Sequence, residues 1–193
     1  MTNTPGRATP RQVAGTEGAD ALGHASSLAT TPLVLSGLGG DDTLRGGAGT
    51  DDLFGGAGDD NLLGNAGDDR ISGGAGADRA AGGAGDDRFA FDAGHLARGL
   101  GGAGAVDTVL DFEGAGAAGG DLLVLSGWGP NASLVFLREV GGDPSRQLYA
   151  VMTEPNATTP GGNPTYELLV QTMPGASPAR LTSADYAFRE WGT

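Results

Sequence analysis

Between Gly37 and Ala90 the chain reads GLGGDDTLR, GGAGTDDLF, GGAGDDNLL, GNAGDDRIS, GGAGADRAA and GGAGDDRFA, six nine-residue units without an insertion. Positions 1 and 4 are glycine in every unit, and position 8 is always apolar. Position 6 is always aspartate, at Asp42, Asp51, Asp60, Asp69, Asp78 and Asp87. A fixed period of this kind is typical of repeat architectures, in which each unit buries its apolar residue against its neighbours.

Each unit combines a glycine-rich half with a half that can form a strand. The first six residues can turn tightly because glycine accepts backbone angles that are closed to other residues. The last three can form a short strand whose position 8 side chain points inward. Two units then close one coil, and successive coils stack at about 4.8 Å. The repeats therefore predict an all-β fold, a parallel β-roll of three coils.

The loops of such a roll offer oxygen atoms to a metal ion. Carbonyl groups point alternately to the two sides of a loop, and the position 6 carboxylate adds negative charge. A flexible cage of hard oxygen ligands favours calcium over zinc, copper or magnesium. If ions lie between a unit and the second unit after it, six units make about four complete calcium sites. Because eleven aspartates outnumber four arginines between Gly37 and Ala90, we expect this segment to fold only when calcium binds.

Composition limits the other functions that the chain could have. The 193 residues include 38 glycines but few aromatic residues, and the formal net charge is -13. All eleven basic residues are arginines and are scattered, so nucleic acid and anionic membranes are poor partners. There is no cysteine, which excludes disulfides and thiolate metal sites. The sequence predicts neither a Sec-type signal peptide at Met1 to Gln12 nor a membrane span.

Two alternatives to a calcium-binding array fit the residues less well. Glycine and aspartate are also enriched in flexible linkers, but a linker has no reason to keep position 6 acidic and position 8 apolar through six units. Catalysis lacks a motif: His24 and His95 are isolated, HExxH and GxSxG are absent, and there is no lysine. Adjacent aspartates such as Asp59 and Asp60 could serve as a glycosidase acid and base, but they recur through the array, which favours a structural role.

The six units resemble the repeats-in-toxin (RTX) family, the hemolysin-type calcium-binding repeats of bacterial proteins exported by type I secretion. The resemblance implies a parallel β-roll with calcium between its coils. It also implies that ligands come from carbonyls at positions 1, 3 and 5 of one loop, from carbonyls at positions 2 and 4 of the other, and from the position 6 aspartate. The implied ligands are the carboxylates of Asp42, Asp51, Asp60, Asp69, Asp78 and Asp87, with carbonyls that include those of Gly46, Ala48, Thr50, Gly55, Ala57, Asp59, Gly64 and Ala66.

Three residues depart from the family pattern. Leu38 and Asn65 replace glycine at position 2, where we expect them to distort their loops. Ala80 is the smallest position 8 residue and predicts a thinly packed part of the core. A degenerate unit, GTEGADALG at Gly15 to Gly23, is separated from the array by Ser26 to Ser36.

The chain after Ala90 is similar to the C-terminal parts of serralysin-type proteases and to the R-modules of alginate epimerases. The similar segments are Asp107 to Phe112, Asp121 to Leu125 and Leu181 to Phe188. Apolar runs predict strands at Val106 to Phe112, Leu122 to Leu125, Leu134 to Val140, Leu148 to Met152 and Tyr166 to Val170. Turns or loops are predicted at Gly141 to Arg146 and Glu154 to Pro164.

These observations divide the chain into four segments. We expect a flexible N-terminus at 1–14, a degenerate repeat and connector at 15–36, the calcium-binding β-roll at 37–90, and a β-rich cap at 91–193. By resemblance, the cap also contains the type I secretion region, which a bacterial exporter recognises.

Two functions follow as hypotheses from the sequence. The first is a secreted, extracellular and non-catalytic calcium-binding module. The second is a carbohydrate-binding or cell-surface attachment module, in which arginines contact an acidic polysaccharide; the candidates are Arg138, Arg146, Arg180 and Arg189. A third and more remote alternative is a fragment of a larger enzyme.

Overall fold

The computed structural model describes residues 9–26, 28–93, 106–113, 120–128, 132–152, 164–172 and 181–189. These residues form fifteen strands in two sheets. The strands are β1 (Arg11–Ala14), β2 (Ala21–Gly23), β3 (Leu33–Gly39), β4 (Thr43–Arg45), β5 (Asp52–Ala57), β6 (Asn61–Ala66), β7 (Arg70–Ala75), β8 (Arg79–Ala84), β9 (Arg88–Asp92), β10 (Asp107–Phe112), β11 (Leu122–Ser126), β12 (Ser133–Val140), β13 (Asp143–Met152), β14 (Pro164–Thr172) and β15 (Tyr186–Arg189). No helix in this described part is long and apolar enough to cross a membrane.

Consecutive repeat strands alternate between the two sheets. The first sheet has the order β1-β3-β5-β7-β9-β11-β15, and the second has the order β12-β13-β14-β10-β8-β6-β4-β2. Neighbouring repeat strands are parallel, with Leu44 opposite Leu62 and Leu53 opposite Ile71. Two nine-residue units therefore make one coil, and the predicted parallel β-roll is confirmed.

The core of the roll is a stack of position 8 side chains. Leu44, Leu53, Leu62 and Phe89 are fully buried, and Ile71 is nearly so. Ala80 lies between Leu62 on β6 and Val109 on β10 and keeps 7% of its surface exposed. Burial of a large apolar side chain is worth about 1.5–3 kcal/mol, so Ala80 contributes least of the six.

The roll is longer than the three coils that the repeats predict. β2, within the degenerate unit, pairs with β4, and Leu22 lies opposite Leu44. The segment at Ser26 to Ser36, expected to be a connector, supplies β3, in which Leu35 lies opposite Leu53. Arg11–Ala14 form β1 along the edge of β3, although the sequence places them in a flexible N-terminus. The degenerate unit is thus separated from the array in sequence but adjacent to it in space.

The C-terminal region continues both sheets and then changes direction. β10 pairs in parallel with β8, and β11 pairs in parallel with β9. β14 joins the second sheet in parallel with β10, and β13 and β12 then extend it by antiparallel pairing. The loop predicted at Gly141 to Arg146 is a two-residue turn, because Gly141 and Gly142 both have positive φ, of 70° and 74°, as a tight hairpin turn requires. β13 therefore starts at Asp143; residues 153–163, in the second predicted loop, lie outside the described part.

Leu38 and Asn65 adopt the backbone geometry of the glycines that they replace. Their φ angles are 79° and 80°, and Gly56 at the same position has a φ of 125°. The expected loop distortion is therefore absent at these two positions, and the loops keep their path with a non-glycine residue in a left-handed conformation. Asn65 gains a hydrogen bond there, since its Nδ2 donates to the Gly46 carbonyl at 3.1 Å. Leu38 is 47% exposed.

The substitution Leu38→Gly should raise the free energy of unfolding of the calcium-loaded protein by about 0.5–1 kcal/mol. A left-handed conformation costs a non-glycine residue about 1–2 kcal/mol, and the greater freedom of glycine in the unfolded chain offsets about 0.5–1 kcal/mol of that gain. Thermal or urea unfolding in millimolar calcium measures the change.

Asn65→Gly is the matched comparison, because it relieves the same backbone conformation but removes the hydrogen bond to Gly46. It should stabilise the protein less than Leu38→Gly does. A lower unfolding midpoint for Leu38→Gly than for the parent protein would contradict this account of position 2.

Candidate metal centre

The glycine-rich loops stack along two opposite edges of the roll. Edge A carries loops 37–42, 55–60 and 73–78, which lead from the first sheet to the second. Edge B carries loops 46–51, 64–69 and 82–87, which lead from the second sheet back to the first. The sequence places one aspartate at the end of every loop, so each edge contains a column of carboxylates.

Each of these carboxylates binds the backbone of the preceding coil on the same edge. On edge A, the N–H of Asp42 donates to Asp60 Oδ1 at 2.8 Å, and the N–H of Asp60 donates to Asp78 Oδ1 at 2.9 Å. On edge B, the N–H groups of Asp51 and Asp69 donate to Oδ1 of Asp69 and Asp87, at 2.7 and 2.9 Å. We call these two series of hydrogen bonds the aspartate ladders. They link successive loops through one oxygen of each carboxylate.

The second carboxylate oxygen is buried without a hydrogen-bond partner in most of the loops. Within the described part of the chain, this holds for Oδ2 of Asp42, Asp60, Asp69, Asp78 and Asp87. Asp51 differs, since its Oδ2 accepts the N–H of Gly47 at 2.7 Å. A buried polar atom without a partner costs about 1–3 kcal/mol, and more if the group is charged. Five such atoms, three on edge A and two on edge B, are therefore placed to bind a ligand.

Glycine at position 1 makes room for that ligand. A methyl group on Gly55 would lie 2.2 Å from Asp60 Oδ2 and 2.5 Å from the carbonyl oxygen of Gly73 on the next coil. At Gly64 the corresponding distances are 2.2 Å to Asp69 Oδ2 and 2.5 Å to the Gly82 carbonyl oxygen. A carboxylate oxygen and a carbonyl oxygen thus converge beside position 1, where any side chain would fill the space.

The donors at these places suit a hard cation. No group of three or more His, Cys, Asp or Glu side chains in the described ranges is placed to hold a metal ion. A site must therefore draw most of its ligands from backbone carbonyls and one or two carboxylates. Calcium accepts six to eight oxygen ligands of this mixed kind, at calcium–oxygen distances of about 2.3–2.6 Å. The unpartnered Oδ2 atoms and the glycine carbonyls fit calcium.

The electrostatics of the loops without a metal ion oppose ionisation. Burial raises the pKa of Asp69 from 3.8 to about 8, and the hydrogen bond from the Asp51 N–H lowers it less. Burial likewise raises the pKa of Asp78 to about 7 and those of Asp60 and Asp87 to about 6. Neighbouring aspartates on the same edge add to each increase. A cation would relieve both the burial and the repulsion.

The structure brings only part of the predicted ligand set together. The carbonyls of Gly55 and Gly64 lie beside Gly37 and Gly46, next to the carboxylates of Asp42 and Asp51. The Ala57 carbonyl instead accepts the N–H of Gly40 at 2.7 Å. The remaining predicted carbonyl donors lie in the same loops, at Gly46, Ala48, Thr50, Asp59 and Ala66. Their role as ligands stays a prediction.

Two residues beyond the repeats extend the aspartate ladders. The N–H of Asp78 donates to Asp107 Oδ1 at 2.8 Å, and the N–H of Asp87 donates to Asp121 Oδ1 at 3.1 Å. Sequence reasoning missed them as ladder members because the glycine-rich stretches before them, GGAGAV at 101–106 and GAGAAGG at 114–120, do not keep the nine-residue register. The signal was present, since Asp107 and Asp121 each stand two residues before a buried apolar residue, as position 6 does before position 8.

The candidate catalytic groups in the described part of the chain have separate hydrogen-bond partners. Asp59 and Asp60 bind different partners, because Asp59 Oδ1 accepts the N–H of Ala77 and Asp60 Oδ1 accepts the N–H of Asp42. His24 lies 3.0 Å from the Thr31 carbonyl through its Nε2. His95 lies outside the described residues.

Comparison with known proteins identifies the repeat segment. A family model described as an RTX calcium-binding nonapeptide repeat, in four copies, matches residues 34–62 and 63–95. A search of curated proteins finds no match. Among solved structures, the chain is similar to the solution structure of the AlgE6R3 subunit of the Azotobacter vinelandii mannuronan C5-epimerase, with 24% identity over 95% of this chain and 85% of that one and a TM-score of 0.45. The repeat segment of this chain therefore matches the RTX calcium-binding nonapeptide repeats, the family that its sequence resembles.

Proposed function

We propose that this chain is a secreted, non-catalytic calcium-binding module whose repeat segment folds when it binds calcium outside the cell. The observation that carries the proposal is that five position 6 aspartates, on both edges of the described part of the roll, have a buried Oδ2 atom without a hydrogen-bond partner. A bound divalent cation would give each of these atoms a partner and would neutralise the aspartates of the two ladders. Calcium is the cation whose ligand preferences match carboxylates and carbonyls.

The ligands that we propose are the six position 6 carboxylates and the loop carbonyls named from the sequence. The sites lie between successive loops on each edge, and six loops give about four complete sites. The ion supplies positive charge between the coils. The protein residues hold the coils in register through the ladder hydrogen bonds of Oδ1, which leave Oδ2 available to the ion.

The proposed extracellular location follows from the coupling of folding to calcium binding. If the roll needs calcium to fold, it stays unfolded in the cytosol, where calcium is scarce, and folds outside the cell, where calcium is abundant. An unfolded chain is also the form that a type I secretion exporter would transport. We therefore propose secretion through such an exporter. A non-catalytic role is supported by the separate partners of Asp59 and Asp60 and by the lack of a histidine-containing motif.

Calcium should convert the metal-free chain from a largely disordered state to the β-roll. Far-UV circular dichroism in chelator should lack the β-sheet signal, and titration to millimolar calcium should restore it cooperatively, since metal binding supplies folding free energy. Magnesium at the same concentration should have a much smaller effect, because it requires stricter octahedral geometry. Identical spectra in chelator and in calcium would refute the proposal.

Asp69→Asn and Asp68→Asn make a matched pair for this titration. Both neutralise one carboxylate in the same loop, but Asp69 has the buried, unpartnered Oδ2, whereas the Oδ1 of Asp68 accepts the Asp86 N–H at the surface. Asp69→Asn should raise the calcium midpoint roughly tenfold or more, because it removes a charged ligand. Asp68→Asn should shift the midpoint by less than about twofold, as expected for an exposed charge.

The calcium-free roll should become more stable as pH falls. The pKa values of Asp60, Asp69, Asp78 and Asp87 in the roll, about 6 to 8, lie above 3.8. The folded chain therefore binds more protons than the unfolded chain does. Its stability decreases as pH rises from about 4 to about 8. Circular dichroism in chelator should show more β structure at pH 5 than at pH 8.

Calcium should reverse this dependence, because the ion holds the carboxylates ionised and protons compete with it. In millimolar calcium, the unfolding temperature should be lower at pH 5 than at pH 8. An unfolding temperature in millimolar calcium that is the same at pH 5 and pH 8 would contradict this account.

A second candidate function is attachment to an acidic polysaccharide. Arg138 on β12 is exposed and lies opposite Leu148, two residues along β13 from Arg146. Residues in such diagonal positions of an antiparallel pair lie about 7–8 Å apart, so the two arginines can contact neighbouring carboxylates of one polymer. Arg180 lies outside the described residues, as does the side chain of Arg189.

Retention on immobilised alginate at low salt tests this second function. The double variant Arg138→Gln and Arg146→Gln should lose retention by at least about tenfold, if each arginine supplies one or two charge-assisted hydrogen bonds. Arg45→Gln, which removes the same charge from exposed Arg45 on β4, should bind as the parent does. No retention of the parent protein at low salt would leave calcium binding as the only proposed function.

A further inference from the structure

We propose an additional divalent-cation site at the C-terminal end of edge B, formed by Asp87 and Asp111 and not by two nonapeptide loops. The inference rests on the proposed function, since it assumes that the unpartnered aspartate oxygens of the roll bind calcium. It adds a site that the nine-residue period does not contain, because Asp111 lies 21 residues beyond the last unit.

The described residues that follow β10 and precede β11 continue edge B beyond the last repeat loop. β10 pairs with β8 and β11 pairs with β9. The described residues that flank the segment between β10 and β11, Glu113 and Asp121, therefore lie at the same edge as loop 82–87, which connects β8 to β9. Asp121 ends this connection as position 6 ends a repeat loop, because its Oδ1 accepts the N–H of Asp87. Loop 82–87 is thus followed on edge B by the side chains of Asp111 and Asp121, although no seventh unit follows it.

Asp111 replaces a backbone carbonyl with a carboxylate at this position. Within the repeats, the N–H of Gly46 donates to the carbonyl of Leu63 on the next coil at 2.8 Å. The N–H of Gly82, at the same position of its unit, donates instead to Asp111 Oδ1 at 3.0 Å. Asp111 Oδ2 accepts the N–H of Gly83 at 2.9 Å. The last loop on edge B is therefore capped by a charged group and not by a neutral one.

The two carboxylates converge on Gly82. A methyl group on Gly82 would lie 2.1 Å from Asp87 Oδ2, and the Gly82 N–H binds Asp111. Asp87 is fully buried, and its Oδ2 is one of the atoms without a hydrogen-bond partner in the described part of the chain. Burial raises the pKa of Asp87, and the charge of Asp111 is the largest coulombic contribution that raises it further. The buried oxygen of Asp87 thus faces a second negative group.

A calcium ion suits this arrangement. Each carboxylate oxygen has about two lone-pair positions, so Asp111 can bind a cation while it accepts the N–H groups of Gly82 and Gly83. Oxygen atoms from two carboxylates give the site more negative ligand charge than one carboxylate with carbonyls, which strengthens calcium binding. Bound calcium would join β10 to the last repeat, since Asp111 belongs to β10 and Asp87 to the repeat loop.

The test compares the calcium stoichiometry of Asp111→Asn with that of the parent protein, using isothermal titration calorimetry and equilibrium dialysis with calcium alone. Asp111→Asn should bind one ion fewer per chain, or bind one ion at least tenfold more weakly. Circular dichroism in saturating calcium should confirm that the roll still folds.

Asp86→Asn is the matched control, because Asp86 is exposed in the same loop and its side chain is not part of the proposed site. It should bind as many ions as the parent does. If Asp111→Asn also keeps the parental stoichiometry and affinities, the additional site is refuted, whereas calcium binding by the repeats stands. If the parent protein binds no calcium, the proposed function itself fails.

A second variant covers the case in which Asp111→Asn does not fold. Asp111→Glu keeps the charge and the acceptor oxygens for Gly82 and Gly83 but moves the carboxylate by one methylene. It should fold in calcium and bind one ion more weakly than the parent does, while the other ions bind unchanged. Parental affinity for every ion in Asp111→Glu would overturn the assignment.

Discussion

In each repeat loop the position 6 carboxylate divides its two oxygens between two tasks. Oδ1 accepts a backbone N–H from the preceding coil and fixes the register between coils. In five of the six loops Oδ2 is buried without a hydrogen-bond partner within the described residues. The rest of the roll depends on this division, because the apolar stack behind the loops can form only when the carboxylates lie at the edges. The same group thus aligns the coils and, in the proposed function, offers its second oxygen to a cation.

The regular part of the fold could be predicted because one residue type carries one task at each position. Aspartate at position 6 and an apolar residue at position 8 predicted the carboxylates at the loops and the core, but not the hydrogen bonds of the aspartate ladders. The N-terminal extension was not predictable in the same way, since Leu33 takes the place of the aspartate in β3 and Leu28, Ala29 and Thr31 take the place of glycines. In that coil, the N–H of Leu33 still donates to Asp51 Oδ1. The ladder therefore keeps its N–H donor at this position, but Leu33 has no carboxylate that could continue it.

The C-terminal half shows where sequence reasoning reached its limit. Its strands were found from apolar runs, but the pairing partner of each strand depends on contacts distant in sequence. β14 lies between β10 and β13 in the second sheet, an arrangement that no local pattern indicates. Asp111 illustrates the same limit for the candidate site, because its carboxylate reaches Gly82 and Gly83 across 28 or more residues of sequence. Position in the repeat could not reveal a contact made outside the repeat.

The alternation of repeat strands between two sheets restricts how this protein can change its length. Leu44 lies opposite Leu62 and Leu53 lies opposite Ile71, so a pair of units returns the chain to the same sheet and edge. Inserting a single unit would send every later strand to the opposite sheet and would exchange the neighbours of Asp107 and Asp121. Strands β12 to β14, which extend the second sheet, would then extend the first sheet instead. Relatives of this chain that keep the fold should differ from it by even numbers of units. The length of the roll should therefore change by complete coils of eighteen residues.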